Sequence, residues 1–185
     1  MRFLTADEVR VWCEANGLGF SSRGYLHYDS VALHCFSVSI KLASSRVIAL
    51  ADHLVPTWND VPGRGALFWI RERGVWGEFS EKLGATIIDQ LRLANGMTES
   101  LEKRPGHLFE PEELFAIHSY FVLSLLFGWD AFLVPTEGDR FFFVSHDGLL
   151  VAVFRSEESC AQLKQRILDW SPREDKGWYF ELACQ

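Results

Sequence analysis

The stretch from Gly128 to Phe154, GWDAFLVPTEGDRFFFVSHDGLLVAVF, constrains this chain more than any other. Three apolar runs are punctuated by two turn signals, Glu137-Gly138-Asp139 and Asp147-Gly148. Asp-Gly supplies the positive φ that a two-residue hairpin turn demands, so the pattern predicts three antiparallel strands. With Asp147 and Gly148 as the whole loop, His146 opposes Leu149, Val144 opposes Val151 and Phe142 opposes Val153 on one face. Phe141, Phe143, Leu150, Ala152 and Phe154 then fall on the other. Both faces are apolar, so the sheet is expected to be covered on both sides.

The rest of the chain supplies the covers. Thr5 and Glu8 form a capping box that predicts a helix from Ala6 to Gly17. Further helices are expected over 44–54, 80–94, 111–127 and 157–170, each opened by Ser or Pro chemistry and closed by Gly or Pro in most cases. Strands are expected at 31–40, 66–71, 130–135, 140–146 and 149–154, and GWYFELA near the C-terminus reads as an added edge strand. Residues 18–30 and 97–110 read as loops. Strand, helix, strand over 31–71 is a candidate right-handed crossover unit, with an antiparallel arrangement as the alternative. The expectation is therefore a single α+β domain over residues 1–185. Its sheet is mixed but mostly antiparallel, with helices on both faces and a C-terminal β-meander. The helix at 111–127 is apolar nearly all round, which places it at the centre of the core or shares it with another subunit.

Composition narrows the functional classes. The net charge is −7, and the basic residues are scattered, which argues against nucleic acid and anionic membranes as partners. With 15 Phe and 7 Trp the core should be aromatic-rich. The four cysteines, at 13, 35, 160 and 184, show no CxxC pairing and read as reduced thiols used as small apolar side chains. The six histidines show no metal-ligand spacing, and GxGxxG, GxxxxGK[ST] and GxSxG motifs are missing, so no cofactor is expected. The most apolar window, Phe115–Trp129, is shorter than the roughly 20 residues that cross a bilayer, and MRFLTADEVR lacks the apolar run of a signal peptide. A cytoplasmic protein is the expectation.

Two places could carry chemistry. Arg71, Glu72, Arg73 and Trp76 follow the apolar strand ALFWI, and the carboxyl end of such a strand is where open sheets place ligands. Ser145-His146-Asp147 has the composition of a triad, but neighbours on a strand point to opposite faces, so turn formation explains it. His146 can still border a pocket with another residue as its partner. Lys103, Arg104 and His107 read as a solvated loop, with an anion site as the alternative.

The segments LFWIRERGVWGEFS, PGHLFEPEELFAIHSYFVLSLLFGWDAFLVP and FFFVSHDG resemble a family of bacterial proteins with no assigned function. In those relatives the first segment would read closer to WITEWGIW. This chain keeps Trp69, Ile70, Glu72 and Gly74-Val75-Trp76, and has Arg71 and Arg73 where Thr and Trp are expected. Two functional classes follow. The first is a non-catalytic protein-interaction protein of the bacterial cytoplasm, adaptor-like or immunity-like, with a protein partner or a second copy of itself. The other is an enzyme or small-molecule-binding protein whose pocket involves Arg71, Glu72, Trp76 and His146.

Overall fold

The structure is a computed structural model and describes residues 1–28, 33–40, 44–55, 65–72, 78–170 and 180–181. In chain order its elements are β1 (Arg2–Leu4), α1 (Ala6–Ala15), β2 (Leu18–Phe20), β3 (Leu26–Tyr28), β4 (His34–Ser39), α2 (Ser44–Leu54) and β5 (Ala66–Glu72). Then come α3 (Glu78–Ala94), β6 (Gly106–Phe109), a 3-10 turn over Pro111–Glu113, α4 (Leu114–Phe127), β7 (Asp130–Pro135), β8 (Arg140–Ser145), β9 (Leu149–Phe154), α5 (Glu157–Trp170) and β10 (Phe180–Glu181). The capping box forms as the sequence predicts: Thr5 Oγ1 accepts from Glu8 N at 3.2 Å, and Thr5 N donates to Glu8 Oε2 at 2.7 Å. Gly128 closes α4 in the left-handed region, at φ 61°.

This is an α+β fold built on an eight-stranded sheet of order β1-β6-β5-β7-β8-β9-β4-β10, with β2 and β3 as a separate two-stranded sheet. Every pairing among the described strands is antiparallel, where the sequence predicts a mixed, mostly antiparallel sheet. The C-terminal β-meander is β7-β8-β9. Alternation along the order makes β4 and β5 run in the same direction, but β7, β8 and β9 lie between them. The crossover through α2 therefore spans the meander and does not build an adjacent parallel pair.

One register differs from expectation. Ser145 pairs with Leu149, Val144 with Leu150 and Phe142 with Ala152, so the loop holds His146, Asp147 and Gly148. Gly148 sits at φ 80°, and a three-residue loop that ends in a left-handed glycine is the next commonest hairpin solution after the two-residue turn. The one-residue shift exchanges the faces of β9 relative to β8. It also lifts His146 out of the strand and into the turn.

Both faces are covered. One carries Phe36, Phe68, Ile70, Leu133, Phe142, Val144, Leu150 and Phe154 under α2, α3, α4 and α5. The other carries Leu67, Phe132, Val134, Phe141 and Val153 under α1 and the β2–β3 hairpin. Helix α4 lies against both α2 and α3, with Ile117, Tyr120, Phe121 and Leu125 buried, so its apolar circumference is mostly core. Two stretches read as loops contain strands: β2 and β3 within 18–30, and β6 within 97–110. Strand β6 forms where Gly106 admits α1, since a Cβ there would lie 2.3 Å from Val9 Cγ2. Short strands of this kind carry little pattern of their own and are fixed by their neighbours.

The thiols divide. Cys13 and Cys160 are free and buried, and burial pushes the Cys13 thiol up to about 12. Cys35 is disulfide-bonded, which corrects the reading of four reduced thiols. It lies on β4, the strand that β10 joins near the chain's C-terminal end.

Candidate functional site: the cleft at the end of β5

Strand β5 stays in step with β7 from Ala66 opposite Pro135 to Ile70 opposite Ala131, and then Glu72 stands opposite Asp130. Two residues on β5 answer one on β7, so Arg71 is the extra residue of a β-bulge. On its other side β5 pairs with β6 only as far as Trp69 opposite Gly106, with one more bond from Ile70 N to Pro105 O. The last two residues of β5 thus outrun β6. A cleft of about 450 Å³ opens there, lined by Trp69, Arg71, Glu72, Leu101, Glu102 and Pro105 among others.

The β2–β3 hairpin holds Arg71. Its Nη2 donates to Arg23 O at 2.9 Å, and its guanidinium lies 4.5 Å from the centroid of the Tyr25 ring. Its Nη1 is buried and has no hydrogen-bond acceptor. Trp69 stacks on Phe132 at 5.3 Å between centroids and meets Phe20 edge-on, which fixes the aromatic wall.

Beside this wall the carboxylate of Asp130, only 2% exposed, accepts twice at Oδ1: from His146 N at 2.8 Å and from the ring at Nδ1, 2.9 Å away. A bond to a carboxylate fixes the proton on Nδ1 and leaves Nε2 as the free nitrogen of the neutral ring. The hydrogen bond to Asp130 raises the His146 pKa above its ordinary value. The charges of Asp130, Asp147 and Glu72 add to that rise, and burial opposes it. Glu72 therefore touches both features: it lines the cleft, and its charge acts on His146.

Of the residues singled out in the sequence, Arg71 and Glu72 share the cleft wall, His146 stands next to it on Asp130, and Trp76 lies outside the described residues. Ser145, His146 and Asp147 do not converge as a triad. Ser145 Oγ is 3.4 Å from Asp147 Oδ2, while the His146 ring turns to Asp130. Asp130 is the participant that sequence reading missed. Only the true β8–β9 register brings His146 to it.

A second polar cluster lies under β6. Arg92 is 1% exposed, and its Nη1 donates to Arg104 O at 2.8 Å and to His107 Nε2 at 2.7 Å. Its Nη2 donates to Glu99 O at 3.1 Å and Ser100 O at 3.3 Å. His107 is fully buried with Nδ1 3.3 Å from Phe68 O, so Nδ1 carries the proton and Nε2 accepts from Arg92. Burial and the Arg92 charge push the His107 pKa down to about 3. The ring packs 4.7 Å from Tyr120, whose buried hydroxyl has no hydrogen-bond partner. The solvated-loop reading of His107 is thereby corrected: β6 carries it into the core. Arg104 does stay at the surface, paired with Glu99 and Glu8.

Among the described residues no group of three or more His, Cys, Asp or Glu is arranged to hold a metal ion, and no helix is long and apolar enough to cross a membrane. No family model, curated protein or solved structure matches the chain.

Proposed function

We propose that this protein binds a small polar molecule in the cleft at the end of β5. Arg71 and Glu72 are its polar contacts, Trp69 its wall, and the His146–Asp130 pair a proton-bearing support behind Glu72. One observation carries this reading. Arg71 lines an open cleft, and its Nη1 is a buried donor without an acceptor. More than nine buried polar groups in ten are hydrogen-bonded, and an exception on a cavity wall calls for an explanation that a ligand oxygen supplies. The cleft volume, 450 Å³, also lies within the roughly 300–1,000 Å³ of ordinary ligand pockets. Among the described residues no hydroxyl or thiol is hydrogen-bonded to the His146 ring, so the pair supports binding or proton exchange over nucleophilic transfer. The test is a thermal-shift screen of charged small molecules on the wild type and on Arg71→Ala, followed by calorimetry on the hits. A ligand that stabilises the wild type and loses at least tenfold in affinity with Arg71→Ala supports the reading. Hits that bind both proteins equally, or no hits at all, reject it.

A second reading, the non-catalytic adaptor-like or immunity-like interaction protein of a bacterial cytoplasm, is favoured by a different surface. Phe115 at the start of α4 is 87% exposed, and Ile48 on α2, Leu83 and Ile87 on α3 and Leu126 on α4 are exposed on adjoining helices. Light scattering tests its self-associating form. A dimer that Phe115→Ser dissociates supports it, and a monomer throughout at high concentration counts against it.

A further inference from the structure

Resting on the reading of the cleft as a binding site, we infer that its ligand is a small zwitterion. Its carboxylate and ammonium lie a few bonds apart, as in a free amino acid, and it carries an apolar side group. In a regular strand Arg71 and Glu72 would point to opposite faces of the sheet. The bulge sets both against Asp130, and both line the one cleft. That is the local use of an extra residue: it re-aims a side chain. The two groups are unequal in what they have left to offer. Arg71 has its Nη2 on Arg23 O and its flat face on Tyr25, so Nη1 is the donor still without an acceptor. Glu72 is exposed and, among the described residues, makes no hydrogen bond, and its charge acts on His146.

Charge bookkeeping then selects the ligand. A simple anion drawn to Arg71 meets the carboxylate of Glu72 on the same lining. A simple cation drawn to that carboxylate meets the guanidinium. A molecule with both charges satisfies both sides, and opposed charges arranged this way give discrimination more than raw affinity. The remaining lining, Trp69, Leu101 and Pro105, is apolar and faces the ligand's third substituent.

The experiment is calorimetric titration of the wild type with the free L-amino acids. Each binder is repeated as its N-acetyl derivative, which keeps the carboxylate, and as its methyl ester, which keeps the ammonium. The expected result is a preference for one or more apolar amino acids, with each block weakening binding at least tenfold. Arg71→Met should erase the difference between free acid and ester, and Glu72→Gln the difference between free amine and N-acetyl form. Should Arg71→Met fail to fold by circular dichroism, the surface variant Glu72→Gln carries the test alone. An N-acetyl form that binds as well as the free acid overturns the zwitterion and leaves the cleft as an anion site. The zwitterion is overturned as well if no amino acid binds while another charged small molecule does. If no charged small molecule binds at all, the cleft reading fails with it.

Discussion

The two polar clusters around β5 and β6 are built from similar parts and end in opposite states. Each sets an arginine and a histidine close to the sheet. Under β6, Arg92 gives its donors to three backbone carbonyls and to His107, and nothing of either group reaches solvent. At the end of β5, Arg71 keeps one donor without an acceptor, and His146 leans on a buried carboxylate with its far nitrogen 3.8 Å from the exposed Asp147. The difference lies in the partner. Burial beside a cation drives one histidine's pKa down, and a hydrogen-bonded carboxylate drives the other's up. A closed polar network specifies a core; an open one is available to bind.

The sharpest way to break this comparison is Arg92→Met. It removes the donor from three part-buried carbonyls and from one buried imidazole, so a loss of about 2–4 kcal/mol is expected by urea unfolding. A loss below about 1 kcal/mol would mean that the cluster is hydrated and no more closed than the cleft. The pH dependence of His107 gives the next largest effect. A histidine held neutral, with its pKa lowered from 6.5 to about 3, contributes stability above pH 6.5 that fades as the pH falls, because the unfolded chain takes up the proton first. The stability difference between wild type and His107→Gln should therefore move against the wild type by about 2.5–3 kcal/mol between about pH 7.5 and 4.5. A difference independent of pH would place His107 in water.

How much of this contrast was legible in the sequence depends on how local its causes are. The helices at 6–15, 44–54 and 157–170 follow from caps and periodicity, and the meander from its alternation and its turns. The Arg71-Glu72 pair stood out because it ends an apolar strand. The bulge that makes the pair useful did not, since it arises from the register of β5 against β7. His146 was visible and its partner was not: the turn takes three residues instead of two, and that single residue decides whether the ring lies in the sheet or reaches Asp130. His107 was read as solvated because four residues of β6, between a polar excursion and Pro111, carry no period of their own. Its burial comes from the neighbouring strands β1 and β5 together with Arg92 of α3 and Tyr120 of α4.

Asp130→Ala tests the open cluster in the same terms. It strips the acceptor from His146 N and Nδ1, for a loss of about 1–3 kcal/mol. The His146 pKa should fall back towards 6.5, as read by NMR of the ring. A histidine with a raised folded pKa stabilises fully below its unfolded value, and that contribution is lost as the pH climbs through the raised one. The penalty of Asp130→Ala should accordingly be larger near pH 6 than near pH 9. The opposite trend would show that burial outweighs the carboxylate at His146, which would remove the contrast with His107.

The smallest effect asks whether the open arginine is held in place or merely adjacent. Tyr25 lies under the Arg71 guanidinium and meets Phe143 edge-on at 5.4 Å, so it links the hairpin tip to both the cleft and the sheet. Tyr25→Leu retains apolar cover over Phe143 and removes the ring face from the cation. At a site this exposed that should cost about 0.5–1 kcal/mol in urea unfolding. Its effect on binding should be larger than its effect on stability, because a guanidinium that has lost its stacking must be ordered again each time a ligand binds. Equal losses in stability and in affinity would make Tyr25 a packing residue only. An affinity loss that exceeds the stability loss identifies the hairpin as what keeps the donor of Arg71 aimed at the cleft, a role that Phe3, 5.2 Å from the saturated guanidinium of Arg92, has no occasion to play.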